Sequence, residues 1–145
     1  MRPHWILLAI TCLASCGARS TQMDKPQLIE LMNSLATEQL ELRAIECVDD
    51  AFQGRTDTFC YAAPYDADEF GQRVDRLKGF RSVTGWRDDY GVLSAALQYG
   101  DVPREIGVNF ERPNRFWALD GYEALREAQG QVVIVVTDDD PAARQ

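Results

Sequence analysis

Residues 91–100 read GVLSAALQYG and residues 105–111 read EIGVNFE, with the turn-forming DVPR between them. In the first stretch Leu93, Ala95, Leu97 and Tyr99 recur at every second position, and in the second Ile106, Val108 and Phe110 do the same. A period of two is that of a half-buried strand, because successive side chains point to opposite faces. Strands with one covered and one wet side belong to an antiparallel sheet. GDVP (100–103) and RDDYG (87–91) read as turns on either side of the first strand, and RPN (112–114) as the turn after the second.

Outward from this pair the pattern changes. QVVIVVT (131–137) has no alternation, which predicts a central strand covered on both faces. Toward the amino terminus, Asp24 and Gln27 make a capping box with Pro26 in the first turn. Leu28, Leu31, Met32, Leu35 and Leu42 then follow a 3.6-residue stripe, with Ile45 at its edge, predicting one long helix over 25–48. Asp66 and Glu69 open a second helix carrying Phe70, Val74 and Leu77, with Gly79 at its end. Asp120 and Glu123 open a third, short helix ending near Gly130. The expected class is α+β: an antiparallel sheet of about four to five strands, with the long amino-terminal helix and one or two shorter helices packed on one face.

The first residues, MRPH, are short and basic, and Trp5 to Leu13 are apolar apart from Thr11 and Cys12. The run is too short for a bilayer, which needs about 20 apolar residues, and has the layout of a secretory signal peptide. Leu13-Ala14-Ser15-Cys16 resembles the lipobox of bacterial lipoproteins. The resemblance covers residues 1–17 only. It implies that residues 1–15 are removed, that Cys16 is lipidated and becomes the first residue, and that 16–23 form a tether to a domain at 24–137, followed by a flexible acidic tail at 138–145. Gly17 stands where an Asp would mark inner-membrane retention in that family, so the implied location is the outer membrane, facing the periplasm.

That location changes what the composition means. With Cys12 removed and Cys16 lipidated, Cys47 and Cys60 remain as an even pair in a compartment that forms disulfides, enclosing the polar loop VDDAFQGRTDTF. The one histidine, His4, leaves with the signal segment. Ser-His-Asp, Cys-His and His-ligated zinc sites are thereby excluded, and oxidised cysteines offer no thiolate. From Cys16 onward 14 basic face 23 acidic side chains, a net charge of −9. Such a charge disfavours nucleic acid and steers a basic partner.

Three acidic clusters, Asp49-Asp50, Asp88-Asp89 and Asp138–Asp140, lack the ligand spacing of a calcium loop, and no phosphate-binding glycine pattern or zinc spacing is present. The chain is therefore read without metal or cofactor. Either Phe116 or Trp117 is expected in the core. Trp86, Asp88, Asp89 and Tyr90 form the expected partner-binding patch, since Tyr and Trp beside loops bury area with few rotamers to freeze. The reading that follows is a non-enzymatic, lipid-anchored binding protein of inhibitor or immunity type that occludes a basic enzyme or toxin of the envelope. Two alternatives are an accessory subunit of an envelope assembly complex and a carboxylate-dependent cell-wall hydrolase using Glu105 and Glu111.

Overall fold

The computed structural model describes residues 22–116 and 122–144. The segment 1–15, Cys16 and most of the tether, Trp117 and the Asp120 start of the third expected helix lie outside the described residues. In chain order the elements are α1 (Lys25–Glu38), β1 (Arg43–Ile45), β2 (Thr58–Ala63), α2 (Ala67–Asp75), β3 (Phe80–Ser82), β4 (Arg87–Asp89), β5 (Val92–Tyr99), β6 (Ile106–Glu111), the single turn α3 (Pro113–Phe116) and β7 (Gly130–Val136). Two short 3-10 turns, Tyr122–Leu125 and Pro141–Arg144, complete the described residues.

The protein is α+β. The strands make one antiparallel sheet in the order β1-β2-β7-β6-β5-β3, and β4 pairs with β5. β6 alternates as the sequence implies, and Ala95, Leu97, Ile106, Val108 and Phe110 join one core with Val132, Ile134 and Val136 of β7; in β5 the other face is covered as well, with Ala96 and Gln98 buried. That face is roofed by Leu28, Met32 and Ala36 of α1 and Phe70 and Val74 of α2. β7 sits centrally, between β2 and β6. Its opposite face is mostly covered as well, with Gln131 and Val133 buried and Val135 half-exposed, and a smaller cluster of Val48, Ala62 and Leu125 closes over the neighbouring β2.

Seven strands replace the four to five expected, and the additional ones have identifiable causes. The helix expected over 25–48 stops at Glu38. Leu40 N–H reaches back to Leu35 O and Leu42 N–H to Ala36 O, while Glu41 takes a left-handed φ of 54°. The chain reverses there. Leu42 is buried as its place in the stripe implied, but from a turn, and Arg43–Ile45 continue as an edge strand. A left-handed position filled by Glu instead of Gly leaves no stop signal in the sequence. β2 (TFCYAA) is almost wholly buried and so shows no alternation, and β4 is part of what reads as the RDDYG turn.

Cys47 and Cys60 are joined, with Cα atoms 5.1 Å apart. Closing this loop contributes about 3 kcal/mol in the chain-entropy model. Residues 138–144, expected as a flexible tail, fold back onto the domain. Pro141 is buried, Asp138 bridges Lys25 and Arg104, and Arg144 pairs with Glu105 at 3.1 Å.

Gly130 is the tightest point of the sheet. A Cβ there would lie 2.2 Å from the Phe110 ring and 2.9 Å from Glu111 O. Gly130→Ala is therefore expected to destabilise the fold by about 1–3 kcal/mol, read as a lower urea midpoint with an unchanged slope.

Candidate functional site

β4 and β5 are joined by two residues, Tyr90 and Gly91, with φ of 49° and 83°. Positive φ at both loop positions is the requirement of the tight two-residue hairpin loop, which normally takes Asn-Gly or Gly-Gly. Tyr at the first position carries a left-handed backbone that costs about 1–2 kcal/mol for a residue with a Cβ. Its side chain gains nothing in return from the fold. At 84% exposure it is the one exposed large hydrophobic side chain among the described residues.

The hairpin beneath it is stiff. Arg112 donates from both terminal nitrogens to the two carboxylate oxygens of Asp88, each at 2.8 Å, and its backbone N–H donates to Gly91 O at 2.9 Å. Paired, parallel hydrogen bonds of this kind fix orientation as well as distance. Gly91 is also held from the side, since a Cβ on it would lie 2.9 Å from Asn114 Oδ1. Behind the tip, Trp86 stands edge-on to Phe70, with ring centroids 6.0 Å apart and planes at 74°, and its Nε1–H donates to Asp75 at 2.9 Å.

The four residues of the expected patch thus lie together but differ in role. Tyr90 and Asp89 are exposed at the tip; Asp88 is held by Arg112; Trp86 is half-buried and roots the hairpin in the core. Gly91, Arg112 and Asn114, which hold the tip, carry no mark in the sequence beyond the turn-forming RDDYG and RPN.

A second feature lies at the other edge of the sheet. β1 ends at Ile45, and beside it a groove of about 630 Å³ runs past Ile45, Phe52, Phe59 and the disulfide toward Asn33 and Arg55. The Tyr61 hydroxyl at its floor donates to Asn33 Oδ1, and burial pushes its pKa up to about 12. That phenol is neutral and committed.

Glu105, the residue before β6, and Glu111, its last residue, stand six positions apart, a separation of about 20 Å along an extended chain. Paired glycosidase carboxyls sit about 5 to 10 Å apart, so these two cannot flank one bond. Asp49 and Asp140 accept the backbone N–H of Ala51 and Ala142, each at 2.9 Å, and so serve their own turns. No group of three or more potential metal ligands converges among the described residues. In comparisons with known proteins, the chain matches no family model, no curated protein and no solved structure.

The strain at Tyr90 has a measurable sign. Tyr90→Asn supplies the residue this loop prefers and is expected to raise the unfolding free energy by about 1 kcal/mol in urea titration. A substitution that stabilises the fold would show that Tyr is kept at the tip against the interest of stability.

Proposed function

We propose that this chain is a lipid-anchored binding protein of the bacterial envelope, tethered through Cys16 to the outer membrane and facing the periplasm, which acts by inserting the Tyr90 hairpin into another protein's surface. The observation that carries the reading is an exposed aromatic residue held in a strained backbone at the tip of a braced hairpin. Strain that the fold does not repay belongs to sites where shape is used. A rigid aromatic on a fixed support is also what an interface needs, because little freedom is lost when it docks.

The layout of the sheet supports the same reading. Val92, Glu111, Gln131, Ala62 and Arg43 stand in line at the hairpin end. Leu97, Ile106 and Val136 stand in line at the other, where Val136 N–H donates to Asp57 O. Lys25, at the start of α1, lies at that second end, 4.0 Å from Asp57 and 3.0 Å from Asp138. A tether leaving from α1 and a tip presented by β4 and β5 occupy opposite poles, so an anchored domain can hold Tyr90 away from the bilayer. Residues 17–23 extend at most about 25 Å.

The net charge of −9 from Cys16 onward favours a basic partner, an enzyme or toxin occluded by the tip. The steering field belongs to the whole domain, since the charge of Asp88 is taken up by Arg112. The groove beside β1 favours the second reading, an accessory subunit that holds an extended segment of an assembly partner.

Cys16→Ala is expected to abolish labelling by radioactive palmitate; undiminished labelling would end the lipoprotein reading. A pull-down from envelope extract identifies the partner, and surface-plasmon kinetics then separate the two sites. Tyr90→Ala is expected to weaken binding about thirtyfold, the equivalent of about 2 kcal/mol, chiefly through faster dissociation. Asp89→Lys is expected to slow association, and rising salt to slow it further as the Debye length shortens. Binding that ignores Tyr90→Ala but fails on Phe59→Asp would move the contact to the groove.

A further inference from the structure

The hairpin stands on the end of β6, and that end carries an unusual polar pair. Gln131 of β7 is wholly buried and lies opposite Glu111. Its Nε2 donates to Glu111 Oε2 at 2.8 Å, while its Oε1 is buried with no hydrogen-bond partner among the described residues. An ionised carboxylate accepts only, and so does an amide oxygen, which leaves the pair one donor short. A buried acceptor without a donor is the costly case in protein interiors. A proton on Glu111 supplies what is missing: its O–H can donate to Gln131 Oε1 while its other oxygen keeps the amide N–H.

We propose that Glu111 and Gln131 form a proton-operated latch, in which Glu111 takes up one proton as the surroundings acidify and donates it to Gln131 Oε1, fixing the base of the Tyr90 hairpin through two hydrogen bonds. Burial pushes the Glu111 carboxyl up; the Gln131 hydrogen bond and Arg115 pull it down, and Asp49 pushes it up again, with the net shift upward. These groups face it from β7, from α3 and from the loop after β1, and the β5 residue opposite is the apolar Val92. Arg112, next in the chain, is engaged with Asp88.

The connection to the hairpin is direct. Val92 follows the Tyr90-Gly91 loop, and Arg112 N–H closes onto Gly91 O. Whatever holds Glu111 against β7 also holds the residue that braces the tip. The latch deepens the hairpin reading and rests on it for its consequence, but its chemistry is tested separately.

Because the folded value is raised, the fold favours the protonated form. The stability that this contributes is present below the ordinary glutamate value and is lost as pH rises through the raised one. The test uses the whole chain, purified in detergent and labelled for carboxyl and side-chain amide NMR. Glu111 Cδ is expected to titrate above the ordinary glutamate value, and the Gln131 side-chain amide signals to move with the same midpoint. Glu111→Gln carries its own N–H donor for Oε1, so in that variant the Gln131 signals stay flat with pH. Above the midpoint, hydrogen exchange at Arg112 N–H should run about fivefold faster in the wild type than in Glu111→Gln, the equilibrium factor for one net hydrogen bond. Below it the two should agree. Titration of Glu111 at or below the ordinary value, or Gln131 signals that do not follow it, overturns the latch. Retained binding by Tyr90→Ala would overturn the hairpin reading alone and leave the titration intact.

Discussion

β7 lies between β2 and β6, and both of its faces are covered, Val132, Ile134 and Val136 under the helices and Val133 and Gln131 on the other side, where Val135 alone is half-exposed. A strand covered twice needs two covering layers, and the rest of the chain divides between them. α1 and α2 supply one. The other face is closed piecemeal over the neighbouring β2, where Val48 of the disulfide-closed loop and Leu125 of the 3-10 turn pack with Ala62. Neither piece has the length of a helix, which gives the Cys47–Cys60 bond a structural role. It holds in place a lid that has little regular structure of its own. Since β7 comes near the end of the chain and pairs with β2 near its beginning, the sheet is complete only when distant segments have met, a topology that folds slowly.

Much of this was legible where local chemistry and burial agree. The capping box at Asp24 and Gln27, the Asp66 cap of α2, the strand β5 and the alternation of β6 each appear where the sequence places them. Reading failed where an element was short, buried on both sides or turned by an unexpected residue. β2 offers no alternation because both of its faces are covered, and β1 was absorbed into a helix because Leu42 and Ile45 keep the stripe's spacing. The carboxyl-terminal tail looked solvated because it is acidic. Asp138 instead meets Lys25 and Arg104, cations 113 and 34 residues away that no local pattern reveals. At the candidate site, Tyr90 and Asp89 were legible as exposed turn residues. The inward role of Trp86 was not, since it depends on Phe70 and Asp75 arriving behind it.

The hairpin shows how a fold can support a residue that does not help it. Tyr90 carries a backbone cost and returns no packing, yet its neighbours are fixed by a bidentate ion pair, a backbone hydrogen bond and a glycine with no room for a side chain. Exposed ion pairs are usually worth less than 1 kcal/mol, and Arg112–Asp88 is no exception in kind. What it contributes is direction: two parallel bonds between planar groups hold β4 against the turn that follows β6.

The two poles of the domain also differ in how they answer to protons. At the pole where α1 begins, the Arg55 hydrogen bond holds the Asp57 carboxyl below its ordinary range, and the Lys25 hydrogen bond does the same for Asp138. Groups lowered in this way contribute stability above the ordinary carboxylate value and lose it as pH falls through the lowered one. Asp138 is largely open to solvent and Asp57 is half-buried, and both are paired at the surface, so each contribution is small. Glu111, at the hairpin pole, is raised by burial and has the opposite sign. Acidification therefore weakens the contacts that seat the start of α1 and the carboxyl-terminal turn, while it strengthens the footing of the tip. A domain built this way can loosen at the start of α1 and still present a rigid Tyr90, because the groups that answer to pH at one end share no partner with those at the other.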